Sequence, residues 1–114
     1  MKNYKVLWLS EAQDDLEEVM GYIHFERPLT ARRHQEKIHR LAESLAHNPK
    51  RGRIIPELTV LDHFSFRELV IPPWRLMYEI DQDEVRIIAF VDSRREINDF
   101  IYRRLVNTIL TSSH

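Results

Sequence analysis

An α+β domain of order β-α-α-β-β-β-α is expected, and three features of the sequence point to it. Two early stretches, Ala12 to Ile23 and Ala31 to Leu45, carry apolar residues at helical spacing. Three β-forming runs, FRELVI, WRLMYEI and EVRIIAFVD, follow one another across the short turn signals Pro72-Pro73 and Asp81-Gln82-Asp83. A last helical stripe closes the chain at Ile97, Phe100, Ile101, Leu105 and Ile109. This order gives an N-terminal helical hairpin packed on a small antiparallel-rich sheet, with a C-terminal helix. A length of 114 residues has room for one domain, 1–114.

The elements justify themselves in turn. YKVLWL, residues 4–9, is β-branched and aromatic, so it reads as the first strand. Ser10 and Gln13 have the spacing of a capping box, opening a helix whose inner stripe is Ala12, Leu16, Val19, Met20 and Ile23. Pro28 breaks it. A second helix is expected from Leu29 or Thr30, with Ala31, His34, Ile38, Leu41, Ala42 and Leu45 inward, until Asn48-Pro49 ends it. So short a connection makes the two helices an antiparallel hairpin. Residues 50–63 hold a turn, KRGR, and an apolar run interrupted by Pro56, which fits an irregular or edge piece. Trp74, Leu76, Tyr78 and Ile80 alternate with Arg75, Met77 and Glu79 as in a half-buried strand, and Val85, Ile87, Ala89 and Val91 do the same beside it. Ser93 and Glu96 form a second capping-box pattern, which would put Arg94 and Arg95 in the first turn of the last helix.

Composition narrows the function. Hydrophobic residues make up 43% and charged residues 31%, as in a folded globular protein. Cysteine is absent, which excludes disulfides and thiolate chemistry, and no apolar run approaches the roughly 20 residues that span a bilayer. The opening MKNYKVLWLSEAQDD turns acidic before an export signal is complete, so a cytoplasmic protein without membrane partners is expected. The net charge of −1 encodes no general attraction to nucleic acid. Its distribution is uneven: residues 27–53 hold eight Lys/Arg against two Asp/Glu, and residues 54–92 hold three against eight.

Metal chemistry is not expected. His34, His39 and His47 are five and eight residues apart, whereas a ligand pair on one helix face needs three or four. Asp81, Asp83 and Glu84 belong to a hairpin turn, and KRGR has too few glycines for a phosphate loop. No cofactor is expected. Arginine remains: Arg67 and Arg75 lie on neighbouring strands, and Arg94 and Arg95 follow the last one, so a meander could gather them at one end or face of the sheet. Such a cluster suits phosphate or carboxylate. Equally, Arg75 could pair with Glu68 or Glu79 across the sheet. Positive charges in a first helical turn oppose the dipole, so helix stability alone does not account for the Arg94-Arg95 pair. Val106 and Leu110 extend the Phe100 stripe sideways and could be buried in the monomer or receive a partner.

SEAQDDLEEVMGYI, NPKRGR, FRELVI, WRLMYEI and IIAFVDSRREI, in that order, resemble the RelE/ParE superfamily of toxins from type II toxin-antitoxin modules. The resemblance implies a partner antitoxin that masks the toxin, operator DNA reached only through that antitoxin, and a homodimer or toxin-antitoxin heterotetramer. In the ParE-like branch, which the hairpin, FRELVI and the strand-exit RRE favour, the toxin inhibits DNA gyrase as a binding protein. Arg67, Arg94, Arg95, Val106 and Leu110 are then its partner-binding candidates. In the RelE-like branch it is a metal-independent endonuclease that cuts mRNA on the ribosome, with Arg75, Arg94 and Tyr102 as catalytic candidates. Glu68 stands where that branch has lysines, Phe100 where an ungapped match has tyrosine, and Asp92 where a histidine often precedes the arginine pair. A non-toxic interaction domain is the third reading.

Overall fold

The computed structural model describes residues 3–61 and 65–106. Its elements are β1 (Lys5–Trp8), α1 (Ser10–Glu26), α2 (Pro28–Glu43), β2 (Arg53–Ile54), β3 (Phe66–Ile71), β4 (Trp74–Asp81), β5 (Glu84–Asp92) and α3 (Ile97–Ile101). A π turn, Tyr102–Val106, continues α3. The five strands form one sheet in the order β1-β5-β4-β3-β2, with β1 parallel to β5 and the other pairs antiparallel.

One face of the sheet takes the helical hairpin. Ala12, Leu16 and Met20 from α1, and Ile38 and Ala42 from α2, bury against Leu69, Ile71, Trp74, Leu76, Tyr78, Val85, Ile87 and Phe90. The expected inner stripes are the ones that meet the sheet. His34 and His39 are part of this packing: His34 stands edge-on to Trp74 at 5.0 Å and His39 lies 5.2 Å from Trp8. Among the described residues no cluster suits a metal ion.

The opposite face is covered too, which the alternation of β4 did not foretell. Ile55, Leu58, Ile97, Ile101 and Leu105 close over Phe66, Met77, Ile88, Ala89 and Val91. β4 is therefore buried on both sides over Trp74–Glu79, with Arg75 and Glu79 buried as charged residues. In β5 a bulge intervenes: Met77 pairs with Ala89 but Tyr78 with Ile87, so Ile88 is the extra residue. Val85 and Ile87 consequently face the hairpin whereas Ala89 and Val91 face α3, and the expected single face of four residues is split.

Neither capping box forms. α1 begins with Leu9 as its cap residue, and Gln13 bonds Glu17 one turn on. At the other site Ser93 gives its hydroxyl to the Pro73 carbonyl, and α3 starts at Ile97 with Glu96 as its own cap, accepting from the Asn98 N–H. Arg94 and Arg95 thus precede the helix and are not part of its first turn. The middle segment combines both expectations for it, an edge strand of two residues at Arg53–Ile54 and a 3₁₀ stretch from Pro56 to Leu61.

Gly52 locks that segment to the sheet. Its N–H donates to the Tyr78 hydroxyl at 2.9 Å, and this hydroxyl donates to the Pro49 carbonyl at 2.6 Å. A Cβ at position 52 would lie 2.5 Å from the Glu68 carbonyl oxygen and 2.6 Å from the Tyr78 hydroxyl. Gly52→Ala should therefore cost about 1–3 kcal/mol, the range for overpacking, visible as a lower urea midpoint at unchanged slope.

Candidate functional site

The strongest electrostatic feature is a buried ion-pair cluster across β3 and β4. Arg75 leaves β4 on the α3 side, and its side chain is 7% exposed. Its Nε donates to Glu68 at 2.6 Å, while Nη1 and Nη2 reach the two carboxylate oxygens of Glu57 at 3.1 and 2.7 Å. Glu68, fully buried, also accepts from Arg53 at 2.7 Å. The hydrogen bond from Arg75 holds the Glu57 carboxyl below its ordinary range against the opposing effect of burial. Burial alone would lower the Arg75 guanidinium, but its bonds to Glu57 and Glu68 raise it above the usual value. Of the two pairings open for Arg75, the one with Glu68 forms; Glu79 pairs with Arg86 at 2.8 Å.

The arginines do not converge. Arg67 alternates with Leu69 and Ile71 on the hairpin side, where its Nη1 donates to the Gly52 carbonyl at 2.8 Å, so it faces away from Arg75 across the sheet. Arg94 folds back on Asp92, with Nε and Nη2 at 3.0 and 2.6 Å from its oxygens. The Arg94 side chain, with its backbone N–H second, pulls the Asp92 carboxyl down to about 2. Arg95 lies over the Phe100 ring at 5.1 Å. Tyr102 is exposed on the π turn, whereas Arg75 is buried against Glu57 and Glu68. Val106 ends the π turn, and Leu110 lies outside the described residues.

Alternation and charge counting missed a second site. β1 ends opposite Ile87, where the Leu9 N–H donates to the Ile87 carbonyl, and α1 then carries the chain off the sheet. Beyond it the outer edge of β5 is taken by side chains. Asp15 accepts from the Phe90 N–H at 3.1 Å, and Arg104 donates to the Ile88 carbonyl at 3.2 Å. Arg104 also binds both Asp15 oxygens, at 2.8 and 3.2 Å, and its guanidinium stacks 4.9 Å from Phe100. The clasp joins residues 89 apart in sequence, and Asp15 reads locally as one more outward acid of α1. Beside it, a groove of 670 Å³ runs between the hairpin and the strand exit, with Tyr22, Ile23, Trp74 and Phe90 on its walls and Arg94 and Arg95 at its rim.

A helical hairpin and a short terminal helix lie on opposite faces of one small sheet, with an arginine-bearing strand exit beside the hairpin, which makes an α+β domain. The chain belongs to the ParE toxin family of the type II toxin-antitoxin system parDE, whose model matches residues 6–98. It is 33% identical over 92 residues to the toxin RelE2 of Caulobacter vibrioides, a match covering 80% of this chain and 97% of that protein. Its fold is similar to a chain of the chromosomal ParDE toxin-antitoxin system from P. aeruginosa, with a TM-score of 0.64, 17% identity, and coverage of 78% of this chain and 95% of that one. No helix among the described residues is long and apolar enough to cross a membrane.

Proposed function

We propose that this protein is a cytoplasmic toxin that inhibits DNA gyrase by binding it, and that a cognate antitoxin neutralises it and supplies the contact with operator DNA. The observation that carries a binding role is the burial of Arg75. Cleavage of RNA needs an accessible cation to meet the phosphate in its transition state, and all three nitrogens of this guanidinium are held by the carboxylates of Glu57 and Glu68. Arg94 and Arg95 are exposed at the strand exit and are the leading candidates for meeting an acidic protein surface; Arg67, Val106 and Leu110 complete the proposed partner set.

The likeness to a protein named RelE2 favours one second reading, a ribosome-dependent mRNA endonuclease using Arg75, Arg94 and Tyr102. One pair of assays separates the two. Purified gyrase should lose supercoiling activity as the protein is added, while messages on translating ribosomes stay intact. Cut messages with untouched supercoiling would replace the first reading by the second. No effect in either assay would leave an interaction domain without toxicity.

A further inference from the structure

We propose that the outer face of the helical hairpin is a self-association surface, on which a second copy of this chain packs about a two-fold axis parallel to the helices. The face carries both a knob and a hole. Phe25 is nine residues from Leu16 and Leu29 nine from Ile38, about two and a half helical turns in each case, so both point directly away from the sheet that Leu16 and Ile38 meet. They are 90% and 68% exposed. Beside them, between the helices, lies an open groove of 500 Å³ lined by Met20, Gly21, Leu29 and Ala31.

Gly21 is the second observation. A glycine inside a helix is destabilising relative to alanine, and the monomer does not require one here, because a Cβ would meet nothing within 4 Å. The space is open to a second molecule. A helical side chain leans over the turn before its own Cα, so Phe25 of one copy reaches the other at the level of Gly21, where the missing side chain leaves room for its ring.

Charge selects the occupant and the axis. α1 is acidic along Asp14, Glu17 and Glu18, and α2 is basic along Arg33, Lys37 and Arg40, with Glu36 between them held by Arg32 at 3.3 Å. A two-fold along the helices sets α1 of each copy on α2 of the other, with both hairpin tips at one end. Counted from Arg27 in the turn, Asp14 and Arg40 are both thirteen residues away and Phe25 and Leu29 both two, so each pair meets at one height. Asp14 and Arg40 are exposed, and neither has an ion-pair partner among the described residues. A two-fold across the helices would instead set acid row on acid row, and the same row would repel an anionic membrane or nucleic acid. Two helices of 17 and 16 residues side by side present roughly 500 Å². Stable interfaces take about 800 Å² per partner, so the dimer should be weak and concentration-dependent. The proposal does not depend on which target the toxin inhibits.

The test is sedimentation equilibrium of the full chain over a range of concentrations, where the mean mass should climb from that of a monomer towards twice that value. Phe25→Ser should raise the dissociation constant by roughly tenfold or more, as loss of a central aromatic anchor does. Gly21→Leu should weaken the dimer by a similar factor while leaving the urea midpoint of the dilute monomer equal or higher, since the new side chain fills the hole but clashes with nothing in its own chain. Asp14→Lys and Arg40→Glu should each weaken association, by roughly fivefold at low salt, and should restore it when combined. A monomer at every concentration up to about 1 mM would overturn the proposal. So would a dimer indifferent to Phe25→Ser and Gly21→Leu, or one lost equally with Tyr22→Ser, which is 85% exposed but lies on the flank of α1 facing Trp74. Vesicles of phosphatidylglycerol that bind the wild type but not Phe25→Ser would assign the face to a membrane instead, and a monomer whose inhibition of gyrase is lost with Phe25→Ser would assign it to that target.

Discussion

Glu68→Ala should lower the stability of this protein by about 3 kcal/mol. The expectation follows from what is left behind. Glu68 is fully buried and divides its two oxygens between Arg53 and Arg75. Arg53 is 57% exposed and returns to water at little cost, but Arg75 is trapped with its side chain 7% exposed. Breaking a buried pair from one side typically costs about 3–5 kcal/mol, and the lower end applies because Glu57 still holds two of the guanidinium nitrogens. The cluster's net contribution is a different quantity. Glu68→Leu combined with Arg75→Met removes the stranded charge, and should lose less stability in urea titration than Glu68→Ala alone. A double variant that falls further than the single one would mean that the ion pairs themselves are strongly favourable.

The pH dependence has a definite sign. The folded state holds the Glu57 carboxyl below its ordinary value of 4.5, chiefly through Arg75. Its contribution is complete above the unfolded value and is lost as the pH falls through the lower folded one. Acidification below about 4.5 should thus erode stability in the wild type, and Arg75→Met should remove the part of that slope due to Glu57.

The same burial explains which parts of the molecule were legible in its sequence. Helical spacing and strand runs report a core on one side, so the hairpin, the meander and the residues that meet between them could be read directly. The covering of the second face could not. Its lid is built from Ile55 and Leu58 in an aperiodic segment and from Ile97 and Ile101 of α3 and Leu105 of the π turn, and the strand face beneath carries Arg75 and Glu79, which resemble solvent positions until their partners are known. The bulge at Ile88 was hidden because every residue around it is apolar, so a shift of face leaves no trace in the pattern. The candidate site suffered most. The four arginines were grouped by strand adjacency, yet alternation sends Arg67 and Arg75 to opposite faces, and Asp92 claims Arg94. The Ser-x-x-Glu motif misled for a related reason: Ser93 found a closer acceptor in the Pro73 carbonyl, which only the adjacent β3–β4 turn could supply.

Asp15→Ala should release the C-terminal helix before it disturbs the rest of the sheet. In the wild type the Asp15 carboxylate bridges the Phe90 N–H and the Arg104 guanidinium, and both of its oxygens are engaged. Alanine leaves that N–H without its acceptor and takes from Arg104, 19% exposed, the carboxylate that both of its terminal nitrogens bind, while the Ile88 carbonyl, the Phe100 ring and the longer contact to Glu11 at 3.5 Å stay among its partners. Hydrogen bonds to a charged group contribute about 1.5–3 kcal/mol, so losing this shared carboxylate should cost roughly 2–4 kcal/mol after allowance for partial exposure. The loss should be local. α3 has five residues and α1 is anchored independently by Ala12, Leu16 and Met20, so the clasp and the Ile97-Ile101-Leu105 contacts are what seat the terminal segment. Hydrogen exchange should accelerate at residues 97–105 and at Phe90 while β3 and β4 keep their protection. Asp15→Asn, which retains an acceptor for the Phe90 N–H but loses the charge for Arg104, should fall between alanine and wild type. Uniform acceleration across all five strands would show instead that the clasp stabilises the whole domain and that α3 never opens on its own.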